Sequence, residues 1–244
     1  YQNMPYDIIV GRGEADKKAF ENKGLIFLGK GYVKMGQYNS LSNKIFMDIA
    51  RSHVVLVAGK RGSGKSYTLG VIAEELANLE KTISQNIASL IFDTMGIYWT
   101  MKFKNEKDRN LLIEWNLKAK NLPVKIFVPL GYYDDYISRG IPADEKFCLD
   151  VSEINAEDWV LTFDLNITNP IAVLIEKTLK KLKEKSFYNI KDIILEIEAD
   201  KKSPLETKNA AIGLFEAAET WGIFAINKKE ATQIGDLVNA GKTT

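Results

Sequence analysis

The sequence predicts an α/β protein with a three-layer core, a mainly parallel sheet between helices, joined by a helical insertion and a short β-rich N-terminal segment. Three features carry this expectation. Residues 54–58, Val-Val-Leu-Val-Ala, form an apolar run that leads into Gly59-Lys60-Arg61-Gly62-Ser63-Gly64-Lys65-Ser66. After it, Leu69, Ile72, Ala73, Leu76 and Leu79 recur at helical spacing. Further along, the apolar runs 88–93 and 124–128 alternate with a helical pattern over about 110–121, and strands alternating with helices give parallel sheets.

Taken in order, residues 8–10, 25–28 and 32–35 read as short strands within a β-rich segment covering 1–45. Gly11-Arg12-Gly13 and Gly29-Lys30-Gly31 do not complete G-x-G-x-x-G, so both read as turns. His53, the only histidine, stands just before the apolar run. A cap or packing role is expected for it rather than a catalytic one. Residues 46–155 are expected to form the first part of the α/β core. The helical pattern at 110–121 carries Leu112, Trp115 and Ala119 and stops before Pro123.

Residues 156–225 read as the helical insertion. Ile171, Leu174, Ile175, Leu179 and Leu182 make one apolar stripe, and Lys177, Lys180, Lys181, Lys183 and Lys185 cover much of the rest, a pattern that usually marks a solvated face. Ile193, Ile194 and Ile197 mark a short helix. Ser203-Pro204-Leu205-Glu206 reads as a capping box opening a helix with Ala211, Leu214, Phe215 and Ala218, closed by Gly222. Residues 226–244 then return toward the core.

The 59–66 segment is a complete G-x-x-x-x-G-K-[ST] loop. Glycines let successive backbone N–H groups turn toward one anion, as a polyphosphate requires. Lys65 supplies charge to the β- and γ-phosphates, and the Ser66 hydroxyl is suited to ligating Mg²⁺. The following helix aims its positive end at the same place. ATP or ADP with Mg²⁺ is therefore the expected cofactor, touched by Gly59, Lys60, Arg61, Gly62, Ser63, Gly64, Lys65, Ser66 and Tyr67.

Asp93, at the end of the next apolar run, is with Lys65 the candidate catalytic residue. It could be the Mg²⁺-side carboxylate of a Walker B strand. Its place directly after the first helix is instead that of an adjoining strand, and no Asp-Glu pair follows. Gly241-Lys242-Thr243 resembles the end of a second phosphate loop, but the position that needs glycine is Asp236. The run stops soon afterward, so a longer polypeptide with later catalytic strands is expected.

Composition narrows the partners. With 244 residues, 45% hydrophobic, the chain can bury one large core. A net charge of +1 creates no global field for nucleic acid, so any such contact needs a local patch or repetition in an assembly. One cysteine, Cys148, offers no internal disulfide, and no Cys/His cluster suggests zinc, which suits a reducing cytoplasm. No signal peptide or long apolar run indicates secretion or a membrane span.

Ser52-His53 with residues 54–70 resembles the P-loop segment of the HerA/FtsK superfamily of DNA-translocating ATPases, in particular its archaeal HerA-like branch. Residues 91–98 (Ile-Phe-Asp-Thr-Met-Gly-Ile-Tyr), 124–131 and 234–242 agree in order, so the resemblance covers most of 45–244. It implies a RecA-like P-loop fold, a hexameric ring of identical subunits in the cytoplasm, DNA as the partner of the full assembly, and a nuclease as a further partner. It also implies that the Walker B strand begins just after Thr244 and that residues 1–45 are a reduced N-terminal β-domain. Ile97 stands where such proteins often have glutamate. The sensor and arginine-finger regions are missing, so hydrolysis is not expected of this chain alone.

Three functions fit these residues: a ring motor that translocates or unwinds DNA, a small-molecule or nucleoside kinase with Asp93 near the acceptor hydroxyl, and a non-catalytic module whose assembly depends on nucleotide. For the motor, the basic stretch Lys102, Lys104, Lys107 and Arg109 is the candidate DNA contact, set against its reading as a solvated loop.

Overall fold

The computed structural model describes residues 6–35 and 38–238. The chain divides into two compact units, Tyr1–Val124 together with Val238–Thr244, and Lys125–Leu237. The Gly241-Lys242-Thr243 turn lies outside the described residues.

In the first unit, β1 (Ile8–Val10), α1 (Glu14–Phe20), β2 (Leu25–Met35) and β3 (Tyr38–Asp48) build a three-stranded sheet in the order β1-β3-β2. β1 runs parallel to β3, and β2 antiparallel to it. The two strands expected at 25–28 and 32–35 are one strand. Gly29-Lys30-Gly31 is therefore an irregularity in the ladder and not a turn, with register shifts between Phe27 and Gly29 and between Lys30 and Tyr32. Glycine within a strand commonly marks such a bulge. Gly11-Arg12-Gly13 does lie between elements, with Gly11 at φ +89°. The Phe27 and Phe46 rings meet in register with centroids 5.6 Å apart.

Next come α2 (Lys65–Ala77), the short α3 (Lys81–Ser84), a 3-10 turn over Tyr98–Lys102 and α4 (Arg109–Glu114). The helix expected across 110–121 is thus only its first half. Residues 54–58 form no ladder, and Val54 and Leu56 are exposed at 103% and 88%. Residues 88–93 contain a single bridge position and no strand. The mainly parallel three-layer sheet expected for the core is consequently not what the described residues form. They are mixed α/β with two small sheets. The local runs have strand-like sequence, yet a strand exists only where a neighbour supplies its hydrogen bonds.

The second unit opens with β4 (Phe127–Pro129), α5 (Tyr133–Ser138) and β5 (Glu145–Phe147), the two strands pairing in parallel. α6 (Ala156–Thr162), α7 (Pro170–Leu182), α8 (Ile190–Ala199), α9 (Leu205–Glu219) and α10 (Ile234–Leu237) follow. The α7 stripe turns inward as its spacing predicts: Leu174, Ile175, Leu179 and Leu182 are buried with Ile193 and Ile197 of α8 and Ala211, Phe215 and Ala218 of α9. Trp159 of α6 lies edge-on to Phe215 at 5.1 Å.

Asn189 and Asp192 form a reciprocal capping box at the start of α8. The box expected at Ser203 is absent. α9 begins after Pro204 without a side-chain cap, and the Ser203 N–H donates to Asp200 Oδ2 instead. Lys177 also pairs with Asp200, and these bonds, with Lys177 the larger influence, hold that carboxyl well below the usual range.

Gly131 and Gly222 approach backbone to backbone, the Gly131 N–H donating to Gly222 O at 2.8 Å. A Cβ on Gly131 would meet Gly222 Cα at 2.8 Å, closer than carbon atoms pack. Gly131→Ala is expected to lower the stability of this unit by about 1–3 kcal/mol, measured as an earlier urea midpoint. Gly213→Ala is the control. It lies exposed in α9 with open space around its Cβ, so it should be neutral or slightly stabilising, and equal effects of the two substitutions would contradict the close-approach explanation.

Candidate functional site

The loop 59–66 is a tight turn leading into α2. Gly62 and Gly64 take φ +78° and +91°, and a Cβ on Gly59 would collide with Ser63 Oγ. The Ser63 N–H donates to Lys60 O at 3.2 Å, closing the turn. Gly64 is the N-cap of α2 and offers no side chain to satisfy the first helical N–H groups. The first intrahelical bond is from the Thr68 N–H to Gly64 O, which leaves the N–H groups of Lys65, Ser66 and Tyr67 without helical acceptors. Such a terminus suits an anion.

Lys65 Nζ folds back over the loop and donates to Gly59 O and Lys60 O, both at 2.8 Å. Lys60, Arg61 and Tyr67 are exposed beside it. The residues present therefore fit a polyphosphate: the glycines leave the concave side of the loop bare, the helix supplies unpaired donors, and Lys65 brings a mobile charge. Ser66 would hold the Mg²⁺. Mg²⁺-nucleotide bound there would bring the activated phosphoryl group.

Asp93 meets the loop from another direction. Its Oδ2 accepts a 2.7 Å bond from the Tyr98 N–H, while Oδ1 is buried and has no partner among the described residues. The Tyr98 hydroxyl donates to Ser66 O at 3.1 Å, joining the Asp93 turn to the first residues of α2. Ser66 and Asp93 both line a cavity of about 510 Å³ whose floor is Leu69, Ile72 and Leu76 of α2. Lys65 is not part of that lining. Tyr98 was visible in the sequence only as the last residue of the Asp-x-x-Gly-x-Tyr run. Its bond to Ser66 spans 32 positions and has no local signature.

His53 belongs to a polar cluster just before the loop. Its Nε2 lies 2.9 Å from Asp48 Oδ2, and its ring packs against Gly11, where an added Cβ would come within 3.1 Å. Asp48 also receives Arg12 through Nε at 2.9 Å and through the second terminal nitrogen, and both side chains are fully buried. Arg12 donates further to Glu21 O, Lys23 O and Gly24 O. Burial alone would raise the Asp48 carboxyl, but bonds from His53, Arg12 and the Ala50 N–H outweigh it and hold the group at about 2, below the ordinary 3.8. The cluster ties β1 and β3 to the chain immediately before residue 54. On the other side of the loop, the Phe27 N–H of β2 makes a long 3.4 Å contact with Glu75 Oε2 of α2. The N-terminal sheet thus touches both flanks of the 59–66 loop.

Residues 33–236 match the family model described as Helicase HerA, central domain. The chain belongs to the HerA helicase central-domain family. The match spans more than four-fifths of the chain, including the loop, the Asp93 turn and the helical unit. No curated protein and no solved structure matches the chain. HerA membership places the chain among P-loop ATPase motors, and with it the fold as mixed α/β. No helix among the described residues is long and apolar enough to cross a membrane, and none of their His, Cys, Asp and Glu side chains cluster in threes as a metal site.

Proposed function

We propose that this HerA-family chain binds Mg²⁺-ATP at residues 59–67 and works as part of a cytoplasmic ring of identical subunits that translocates or unwinds DNA. The observation that carries the reading is the bare, glycine-built loop with its uncapped helix, found in a chain of this family. Lys65 would contact the β- and γ-phosphates and Ser66 the Mg²⁺. Asp93 would sit beside the metal and not carry it alone, because one of its oxygens already accepts the Tyr98 N–H. A nuclease partner belongs to the same proposal.

In this reading residues 46–155 are the first part of a RecA-like core, 156–225 its helical insertion and 226–244 the return. The exposed, unladdered run 54–58 supports it, since an apolar run of this composition is stabilised when a neighbouring strand pairs its backbone and covers its side chains. The 1–45 segment would be the small β-domain bracing the loop.

ATP hydrolysis by the full-length, assembled protein, measured with and without DNA, tests the function. Stimulation by DNA is expected. Robust turnover indifferent to DNA at every salt concentration removes the motor reading, and a phosphorylated nucleoside among the products would mark a kinase instead. ATP binding that changes sedimentation with no phosphate released would mark an assembly module.

Asp93→Asn is expected to keep ATP affinity and lose about five- to tenfold in turnover, roughly 1–1.4 kcal/mol, the scale of one altered hydrogen bond. The amide oxygen can still accept the Tyr98 N–H, so the turn should survive. Complete inactivation with normal binding would instead make Asp93 the principal Mg²⁺ carboxylate.

A further inference from the structure

The turn after Asp93 carries chemistry that the nucleotide site does not use. Trp99 is anchored by its indole N–H, which donates to Gly96 O at 2.9 Å, and its ring meets Phe103 edge-on with centroids 6.2 Å apart. Phe103 nevertheless keeps 57% of its surface in solvent. Lys102, Lys104, Lys107 and Arg109 lie within the eight residues 102–109 of the sequence that include it. Lys104, Lys107 and Arg109 are exposed and make no ion pair among the described residues.

The same run contains Glu106 and Asp108, so four cations face two carboxylates. Asp108 is already engaged with Asn105, accepting from Nδ2 at 3.1 Å while its own N–H donates to Asn105 Oδ1 at 3.1 Å. That exchange closes the turn over residues 105–108. An exposed aromatic ring gains nothing from water, while Lys104, Lys107 and Arg109 beside it in sequence are solvated. The combination becomes favourable against a polyanion that also offers flat apolar faces, where rings stack on rings and cations meet phosphates.

We propose that residues 99–109 form a contact for single-stranded nucleic acid, in which Phe103, backed by Trp99, stacks on a base while Lys104, Lys107 and Arg109 neutralise neighbouring phosphates. The inference rests on the reading of the protein as a DNA-acting ATPase, and adds the surface and the strand state it recognises. A duplex keeps its bases stacked on one another, so Phe103 would gain little from it.

Binding of a fluorescent oligo-dT strand to the whole chain, read by anisotropy over a salt series, tests the proposal, with binding of a fluorescent ATP analogue measured on the same samples. Phe103→Ala is expected to weaken oligo-dT binding about tenfold, the lower part of what one stacked base contributes. The triple variant Lys104→Ala, Lys107→Ala, Arg109→Ala should flatten the slope of log affinity against log salt by about 0.7 for each phosphate no longer neutralised. Both should bind the nucleotide analogue as the wild type does, because none of these side chains has a hydrogen bond or ion pair with the loop among the described residues. Wild-type binding of oligo-dT unaltered by either variant, equal affinity for duplex, or nucleotide binding with no oligo-dT binding at all would each overturn the proposal. Failure of the wild type to bind the nucleotide analogue would instead strike the ATPase reading beneath it.

Discussion

Lys65→Ala is expected to weaken ATP binding ten- to hundredfold and to leave the fold unchanged. The ammonium group makes its only described contacts with Gly59 O and Lys60 O, both in the loop, and none of its atoms belongs to an apolar core. Removing it costs no buried packing. What it removes is a charge-assisted bond to phosphate, worth about 1.5–3 kcal/mol, and each 1.4 kcal/mol is about tenfold in affinity. Titration calorimetry with ATP would read the loss, and a thermal melt would show the intact fold. Lys65→Arg is expected to recover little, since the loop was built around a point charge on a slender stem. An unchanged dissociation constant for Lys65→Ala would remove phosphate recognition by this loop, and with it the proposed function.

Arg12→Ala should destabilise the first unit by about 3–5 kcal/mol, the scale for taking one partner from a buried ion pair. The loss is large because the Asp48 carboxylate would remain buried with only His53 and the Ala50 N–H, while Glu21 O, Lys23 O and Gly24 O would lose their shared donor. Arg51→Ala is the natural comparison. Its pairing with Asp16 is exposed, so about 0–1 kcal/mol is expected there.

Hydrogen exchange of the β2 and β3 amides would report both changes within this unit, which global melting of a two-unit chain would blur. Acid gives a second readout. Because the folded Asp48 carboxyl sits at about 2 and the ordinary value is 3.8, its contribution is fully present above about pH 4 and is lost as pH falls through about 2. Protection that is equal in Arg12→Ala and wild type would show that the cluster does not hold the sheet to the loop.

Much of the candidate site was legible in the chain itself, because its logic is local. The loop is eight consecutive residues whose glycines set the backbone, and α2 follows from apolar residues three and four apart. The α7 stripe turned inward for the same reason. Other readings failed where the deciding partner lies far away in sequence. Gly29-Lys30-Gly31 looked like a turn until β3 ran alongside it, and β3 itself, with Asn39, Ser40, Ser42 and Asn43, has little apolar alternation to announce a strand.

Residues 54–58 show the converse: a strand-like run with no ladder among the described residues. By itself, then, the sequence determined the glycine loop at 59–66, the helix after it and the apolar faces of the helical unit, since those depend on spacings within one or two turns of chain. Only the tertiary structure decided that His53 belongs to Asp48 and Arg12, that Tyr98 joins the Asp93 turn to Ser66, and which extended runs become strands. Buried polar groups and β-ladders are satisfied by whichever partner folding brings within hydrogen-bond distance, and that distance is not written in sequence separation.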